Sequence, residues 1–396
     1  YPGASVYGEE EKRSVTEVID SKSPYRYYGP HVLGKARAFE KAFSEKIGNP
    51  YTLGVTSGTA SLIVAMKAAG IGPGDKVIVP ACTFIASAGA VVCAGAVPVF
   101  ADIDESMNID PDSIGKVVDK YTKAIMPVPI LGNPCQMDRI MEAAKKYHLM
   151  VIEDVAQSCG SRYRDQYSGT FGEINCFSLQ INKILTTGDG GAVTTKDAKL
   201  YERAVRYHDQ GMFREKEGFL SKSAADEVFI GQNYRMSEIT GAVALEQVKK
   251  MDYIVSSMHR IKYQIKEQIR DIDGVGFRRI NDEKGDAGNA LILLLPDAKI
   301  AAKFREAMNG EGISTGLLYN GEPIYMMPQI FDRKTADKNG FPFNQFDEEI
   351  EYTRDMCPNA WNIMPRSASI SLSPAFTDRD VEDVVTAVRK VMRHLV

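Results

Sequence analysis

Three segments carry residue types that could do chemistry together. The first is Cys176-Phe177-Ser178-Leu179-Gln180-Ile181-Asn182-Lys183, where Lys183 is the only charge between Cys176 and Gly188. A lysine just past an apolar run is open to desolvation, which lowers its pKa and favours Schiff-base chemistry. The second is Val151-Ile152-Glu153-Asp154-Val155-Ala156-Gln157. A carboxylate at the C-terminal end of a buried parallel strand points into the crevice where α/β proteins bind ligands. The third is Val55-Thr56-Ser57-Gly58-Thr59-Ala60, a strand running into a helix. Free N–H groups at a helix start, with two hydroxyls, suit a phosphate. Each segment has a plainer reading as a surface lysine, a capping aspartate or a helix cap. Together they supply an amine, an anion for a pyridinium nitrogen and a phosphate cradle, the needs of pyridoxal phosphate. Phe84 follows the next strand and could lie on the ring, or simply pack in the core.

Other chemistries fit less well. Gly29-Pro30-His31-Val32-Leu33-Gly34-Lys35-Ala36 nearly matches a P-loop, but Ala36 stands where a magnesium-binding Ser/Thr belongs. Gly188-Asp189-Gly190-Gly191 lacks the G-x-G-x-x-G spacing of a dinucleotide site. The six cysteines (82, 93, 135, 159, 176 and 357) form no C-x-x-C pair and have no histidine at ligand spacing. No metal site is expected, and apolar-flanked cysteines predict a reducing, cytoplasmic setting. The start, YPGASVYGEEEKR, is polar and acidic, unlike a secretory signal. The charge sum, 48 − 52 = −4, excludes a general nucleic-acid surface. Val77–Ala101 is long enough uncharged to span a bilayer. Its Pro80, Gly95 and Pro98 instead predict a strand Val77–Pro80, a helix Phe84–Ala94 and a strand Val97–Ala101.

The elements that must position these residues alternate. Strands are expected at Tyr51–Val55, Ala124–Val128, Met150–Glu153 and Cys176–Leu179. Helices are expected at Glu9–Ser21, Gly34–Ile47, Ala60–Ala69 and Met137–Tyr147. Short apolar strands between helices predict an α/β unit with a mostly parallel central sheet. After residue 250 the texture changes to a long charged helix, Met251–Ile272. It is followed by a strand Ala290–Leu295, helices Ala301–Glu311 and Asp378–His394, and an irregular surface stretch Asp332–Glu351. The 396 residues therefore divide into a large cofactor-binding domain (1–250, with an N-terminal segment) and a smaller α+β domain (251–396).

The segments TSGTASL, GPGDKVIVPACTF, VIEDVAQS, CFSLQINKILTTGDGGAV and GQNYRMSEITGAVALEQ resemble, in order and spacing, the DegT/StrS-type sugar aminotransferases. The likeness runs from about Tyr7 to the C-terminus. It implies the fold-type I architecture of pyridoxal-phosphate-dependent transferases. It also implies roles: Lys183 as Schiff-base lysine and proton shuttle, Asp154 on the pyridinium, Gln157 beside the phenolic oxygen and Phe84 stacked on the ring. Gly58, Thr59 and Ser178 would hold the phosphate, and Asn233 would reach the phosphate of the other subunit in a homodimer. The implied reaction moves an amino group from L-glutamate, or L-glutamine, to a carbonyl of a nucleotide-activated keto-sugar. Lysine at 183, where a dehydratase branch has histidine, favours transamination.

Departures concern the substrate. Val128-Pro129-Ile130-Leu131-Gly132 lacks a usual histidine, and His208-Asp209-Gln210-Gly211 replaces a usual His-Gly. The Ile363–Ser373 segment resembles the branch that aminates an eight-carbon ulosonic acid, the 8-amino-3,8-dideoxy-manno-octulosonate transaminase. Arg366 could meet a carboxylate or phosphate, or simply form a surface ion pair. Tyr25, Tyr27, Tyr28, His31 and Tyr319 are looser candidates for sugar hydroxyls. A non-catalytic sensor that binds the cofactor is the reading from another class; the complete set Lys183, Asp154, Gln157 and Ser178 argues against it.

Overall fold

Short runs of Val, Ile, Leu and Ala, too apolar to face water, build a seven-stranded sheet. In the computed structural model, which describes residues 1–214 and 228–395, the first strands are β1 (Tyr51–Val55), β2 (Lys76–Pro80), β3 (Val97–Ala101), β4 (Thr122–Ile125) and β5 (Met150–Asp154). A two-stranded hairpin, β6 (Arg162–Tyr163) and β7 (Gln166–Tyr167), precedes β8 (Ile174–Ser178) and β9 (Gly191–Thr195). The sheet order is β1-β9-β8-β5-β4-β2-β3. The five strands β3, β2, β4, β5 and β8 run parallel, and β9 runs antiparallel to both neighbours. Helices cover the sheet, so β8 and β9 are buried at every residue. Strand β4 stops at Ile125, short of the expected Val128, as Pro127 and Pro129 cannot donate to a ladder.

The uncharged run 77–101 resolves into strand, helix (Ile85–Cys93) and strand within this core. Among the described residues, no helix is long and apolar enough to cross a membrane.

The long charged helix begins at Glu238, not Met251, and ends at Ile269. Ser237 caps it, its Oγ accepting from Thr240 N at 3.1 Å. Its early glycine, Gly241, obscures the helix in the sequence. That glycine is needed for packing, since a Cβ there would lie 2.5 Å from Ala36 backbone atoms. The expected division at residue 250 falls inside this helix. Its first half packs Ala244, Val248 and Met251 beside the large sheet. Its second half packs Ile261, Ile265 and Ile269 against a four-stranded antiparallel sheet. The strands of that sheet are β10 (Gly276–Phe277), β11 (Ala290–Leu294), β12 (Thr315–Gly316) and β13 (Ser367–Ser371), in the order β10-β11-β13-β12.

The second half of the helix also carries Lys262, ion-paired to Asp286 with both side chains in the interior. The stretch 332–351 is mostly exposed, with one short turn at Phe343–Gln345. The flanking segments return to the first core through Ile324, Tyr325 and Tyr352. That return brings Tyr319 toward the large sheet.

Candidate active site

Sheet register brings the three sequence segments together. Val55 at the end of β1 and Ser178 at the end of β8 both pair with Gly191, the first residue of β9. Cys176 pairs with Asp154 at the end of β5. Three strand ends, 123 residues apart in the chain between Val55 and Ser178, thus open onto one crevice. Gly191 permits this closeness, because a Cβ there would lie 2.4 Å from Ser57 O.

The crevice is a cavity of about 530 Å³ lined by Gly58, Thr59, Phe84, Asp154, Gln157, Ser178, Lys183 and Tyr319, among others. Ser57 caps the helix Gly58–Ala68, its Oγ accepting from Ala60 N at 3.0 Å. The N–H groups of Gly58 and Thr59 have no partner within the helix and lie at its positive end. Ser178 abuts this helix start: a Cβ on Gly58 would sit 2.6 Å from Ser178 Cβ. The cradle therefore exists only with glycine at position 58. Phe84 precedes the helix Ile85–Cys93 and is 55% exposed on the cavity wall.

Lys183 stands on the loop between β8 and β9. Leu179 N donates to Gly190 O (2.8 Å) and Ile181 N to Gly188 O (3.0 Å), closing the loop. Gly188 makes the turn at φ +82°. Ile184 and Leu185 are buried, which anchors the loop beside the lysine. Burial lowers the Lys183 pKa, and the nearby Asp154 charge partly opposes the shift. Burial likewise raises the Asp154 pKa, opposed by hydrogen bonds from Ser87 and Ala156 N and by the Lys183 charge. A lowered lysine is a better nucleophile and base near neutral pH.

Gln157 donates from Nε2 to Tyr319 Oη at 2.8 Å. Tyr319, expected as a sugar contact, lines the cavity and also orients Gln157. It does so from a left-handed backbone, φ +49°.

Other expected residues lie outside this cavity. Arg366 lines a separate hollow with Asp104, Glu105 and Arg279. There its Nε donates to Leu295 O at 2.9 Å, which holds the guanidinium away from the lysine. Tyr28 is 64% exposed and packs on Tyr25, with ring centroids 4.6 Å apart. Tyr27 carries Arg26 and Arg214 over its ring. His31 is exposed, its backbone N–H donating to Ser23 Oγ. Asn233 is exposed and bridges Asp209 in antiparallel fashion. His208 is buried and held neutral by desolvation, its pKa down at about 3, whereas Leu131 lines the cavity.

The cavity also gathers Ser87, Asn182, Asp189, Asn289 and Leu318, which sequence reasoning did not assign to it. Ser87 had a signal, standing three residues after Phe84 at the start of the same helix. Asn289 and Leu318 come from distant segments and had none.

The donor set fits pyridoxal phosphate. It has a half-buried amine, a buried carboxylate, an exposed aromatic face and a helix start kept open by Gly58. Among the described residues there is no cluster of His, Cys, Asp and Glu that could hold a metal ion.

Comparison with known proteins agrees with this geometry. Residues 6–389 match the DegT/DnrJ/EryC1/StrS aminotransferase family. The spore coat polysaccharide biosynthesis protein SpsC of Bacillus subtilis is 30% identical, over 98% of this chain and 95% of SpsC. The GDP-perosamine synthase of Escherichia coli O157:H7 is 38% identical, over 66% of this chain and 69% of the synthase. The crystal structure of S. venezuelae DesV, in complex with a ketimine intermediate, matches with a TM-score of 0.83 at 26% identity, covering 97% of this chain and 94% of DesV. Family match, fold and cavity agree: the chain belongs to the DegT/DnrJ/EryC1/StrS aminotransferases and is a pyridoxal-phosphate-dependent transaminase.

Proposed function

We propose that the chain transfers the α-amino group of L-glutamate to a carbonyl of a nucleotide-activated keto-sugar in amino-sugar biosynthesis. It does so in the cytoplasm as a homodimer with shared sites. The observation that carries the reading is the convergence of Lys183, Asp154, Gln157, Ser178 and the Gly58 helix start on one cavity. The names of the relatives support the sugar: one is a GDP-perosamine synthase, another a protein of polysaccharide biosynthesis.

When bound, pyridoxal phosphate supplies a carbon that takes up and hands on the amino group, and a ring that holds the released electron pair. Lys183 anchors it by its amine. Once displaced by the substrate amine, Lys183 is the neutral base that moves the proton at the α-carbon. Asp154 keeps the ring nitrogen protonated, and Gln157 takes the phenolic oxygen. Gly58, Thr59 and Ser178 bind the phosphate, and Phe84 takes the ring face. Glutamate takes its keto oxygen from one water and leaves as 2-oxoglutarate, and the sugar's carbonyl oxygen leaves as one water, so the two half-reactions balance.

The test is the absorbance of the holoenzyme with L-glutamate alone. The visible band should fade with one equivalent of 2-oxoglutarate released, and a GDP-linked keto-sugar should restore it. A band that responds only to L-glutamine would change the donor. Restoration by an 8-oxo-3-deoxy-octulosonate alone would replace the sugar nucleotide as acceptor. A band blind to both amino acids would overturn the reading.

Shared sites have their own test. Asn233 is exposed and outside its own chain's cavity, which supports a role toward a second copy. Mixing Asn233→Ala with Lys183→Ala subunits should regain activity through one intact site per heterodimer. No recovery in verified heterodimers would count against sharing.

A further inference from the structure

Asp154 is 4% exposed, at the end of a strand buried at every residue but the first. Burial alone favours its neutral acid form. Three contacts oppose this. Ser87 Oγ donates to Oδ2 at 2.7 Å, Ala156 N donates to Oδ1 at 3.2 Å, and the Lys183 charge lies nearby. The Lys183 charge is absent whenever that amine acts as a base. The Ala156 bond is long. Ser87 is therefore the strongest permanent donor to this carboxylate.

Ser87 has a partner of its own. Its Oγ lies 2.7 Å from Thr83 Oγ1, and neither residue is more than 1% exposed. Each hydroxyl has one proton to give. An ionised Asp154 only accepts, so Ser87 gives it the Ser87 proton and Thr83 gives its own to Ser87. Every proton in that order is used, and each bond polarises the next. A protonated Asp154 that donated to Ser87 would reverse both bonds. The Thr83 proton would then point into the interior, where the described residues offer Oγ1 no other hydrogen-bond partner. A buried donor left without an acceptor is costly. The pair therefore favours the ionised carboxylate by its polarity as well as by its contact.

The other titratable groups facing Asp154 do not do this. Cys176 on β8 and Tyr319 from the C-terminal third are both pushed up by burial and stay neutral. Glu153, the neighbour on the strand, is held on other atoms by Gly169, Phe171 and Gly172 N–H groups.

We propose that Thr83 and Ser87 are positioning residues that hold Asp154 ionised, so that it can keep the cofactor's ring nitrogen protonated. The proposal rests on the assignment of Asp154 to that nitrogen. The turn Thr83-Phe84-Ile85-Ala86-Ser87 then serves twice, giving the ring a stacking face through Phe84 and giving its counter-ion a directed hydroxyl chain.

The test compares Ser87→Ala, Thr83→Val, Thr83→Ser and Asp154→Asn with the unmodified chain. Two quantities are read: the dissociation constant of pyridoxal phosphate from titration of the apoprotein, and the pH profile of the half-reaction with L-glutamate. Ser87→Ala should weaken cofactor binding about 10-fold or more, the scale of a hydrogen bond to a charged group. Its acid limb should move to higher pH by about one unit, because a carboxylate stripped of a donor protonates sooner. Thr83→Val, which leaves the Asp154 contact in place, should shift both readouts in the same direction by less. Thr83→Ser should restore them. If Asp154→Asn is crippled while Ser87→Ala and Thr83→Val stay within about twofold of the unmodified chain with unmoved acid limbs, the hydroxyl chain is overturned and the Asp154 assignment stands. If Asp154→Asn is itself unaffected, that assignment falls, and the proposal with it.

Discussion

Lys183→Ala should lose the half-reaction with L-glutamate by about 10⁴-fold or more while keeping its fold. The size follows from losing two functions at once. General base catalysis alone contributes about 10²–10⁴-fold, and the covalent anchor adds to it. The fold should survive because, among the described residues, the Lys183 ammonium makes no hydrogen bond or ion pair within the chain. The loop is held instead by Ile184 and Leu185 and by backbone bonds. Cofactor should still bind, more weakly, through the Gly58 helix start and Ser178. Its spectrum should be that of the free aldehyde, because no protein amine is left to react with it. Lys183→Arg should be equally dead, since a guanidinium does not become neutral in this pH range. Single-turnover absorbance with L-glutamate measures the loss, and circular dichroism checks the fold. Transamination by Lys183→Ala at more than about a hundredth of the normal rate would remove Lys183 from its assigned role.

Asp286→Ala should be the costliest change outside the site. Lys262 and Asp286 are 2% and 0% exposed, and Arg278 is buried close by. Removing the carboxylate leaves two cations in the interior with no counter-charge between them. Breaking one side of a buried pair costs about 3–5 kcal/mol, a large share of a typical total of about 5–15. The loss should depend on pH in a set direction. Burial already lowers the Lys262 pKa from 10.5 to about 8, with Asp286 as the opposing influence. In that window the folded chain binds fewer protons at Lys262 than the unfolded chain, so stability from this group rises with pH. Without Asp286 the pKa falls further and the rise begins at lower pH. The gap between variant and parent should therefore be widest on the acid side and narrow as pH approaches 8. Urea midpoints from about two pH units below the Lys262 pKa up to about pH 8 would measure it. A gap that is constant with pH would mean that Lys262 is already neutral in the folded parent.

The chemistry of the site was legible because it rests on local order. Lys183 stands alone in an uncharged run, Asp154 ends an apolar strand, and Ser57-Gly58-Thr59 opens a helix. Each property belongs to a few neighbouring residues, and hydrophobic periodicity gives the strands around them. Their meeting was not local. It depends on Val55 and Ser178 both registering against Gly191, a pairing between strands far apart in the chain. The expected helix start at Met251 missed Glu238 because Gly241 obscures it, and only the close approach of Ala36 explains that glycine. Arg366 looked like an anion ligand by type, but a carbonyl from a neighbouring strand end turns it into another hollow. Tyr319 was expected at the substrate and does line the cavity, and its hydroxyl also accepts from Gln157, a contact the sequence did not show. The sequence by itself determined which groups are available, the cofactor they suit and the secondary structure that carries them, since these follow from residue type and short-range pattern. Only the tertiary structure decided which polar atoms face the cavity and which are occupied by another chain segment, because a hydrogen bond between distant residues leaves no mark on the neighbours of either.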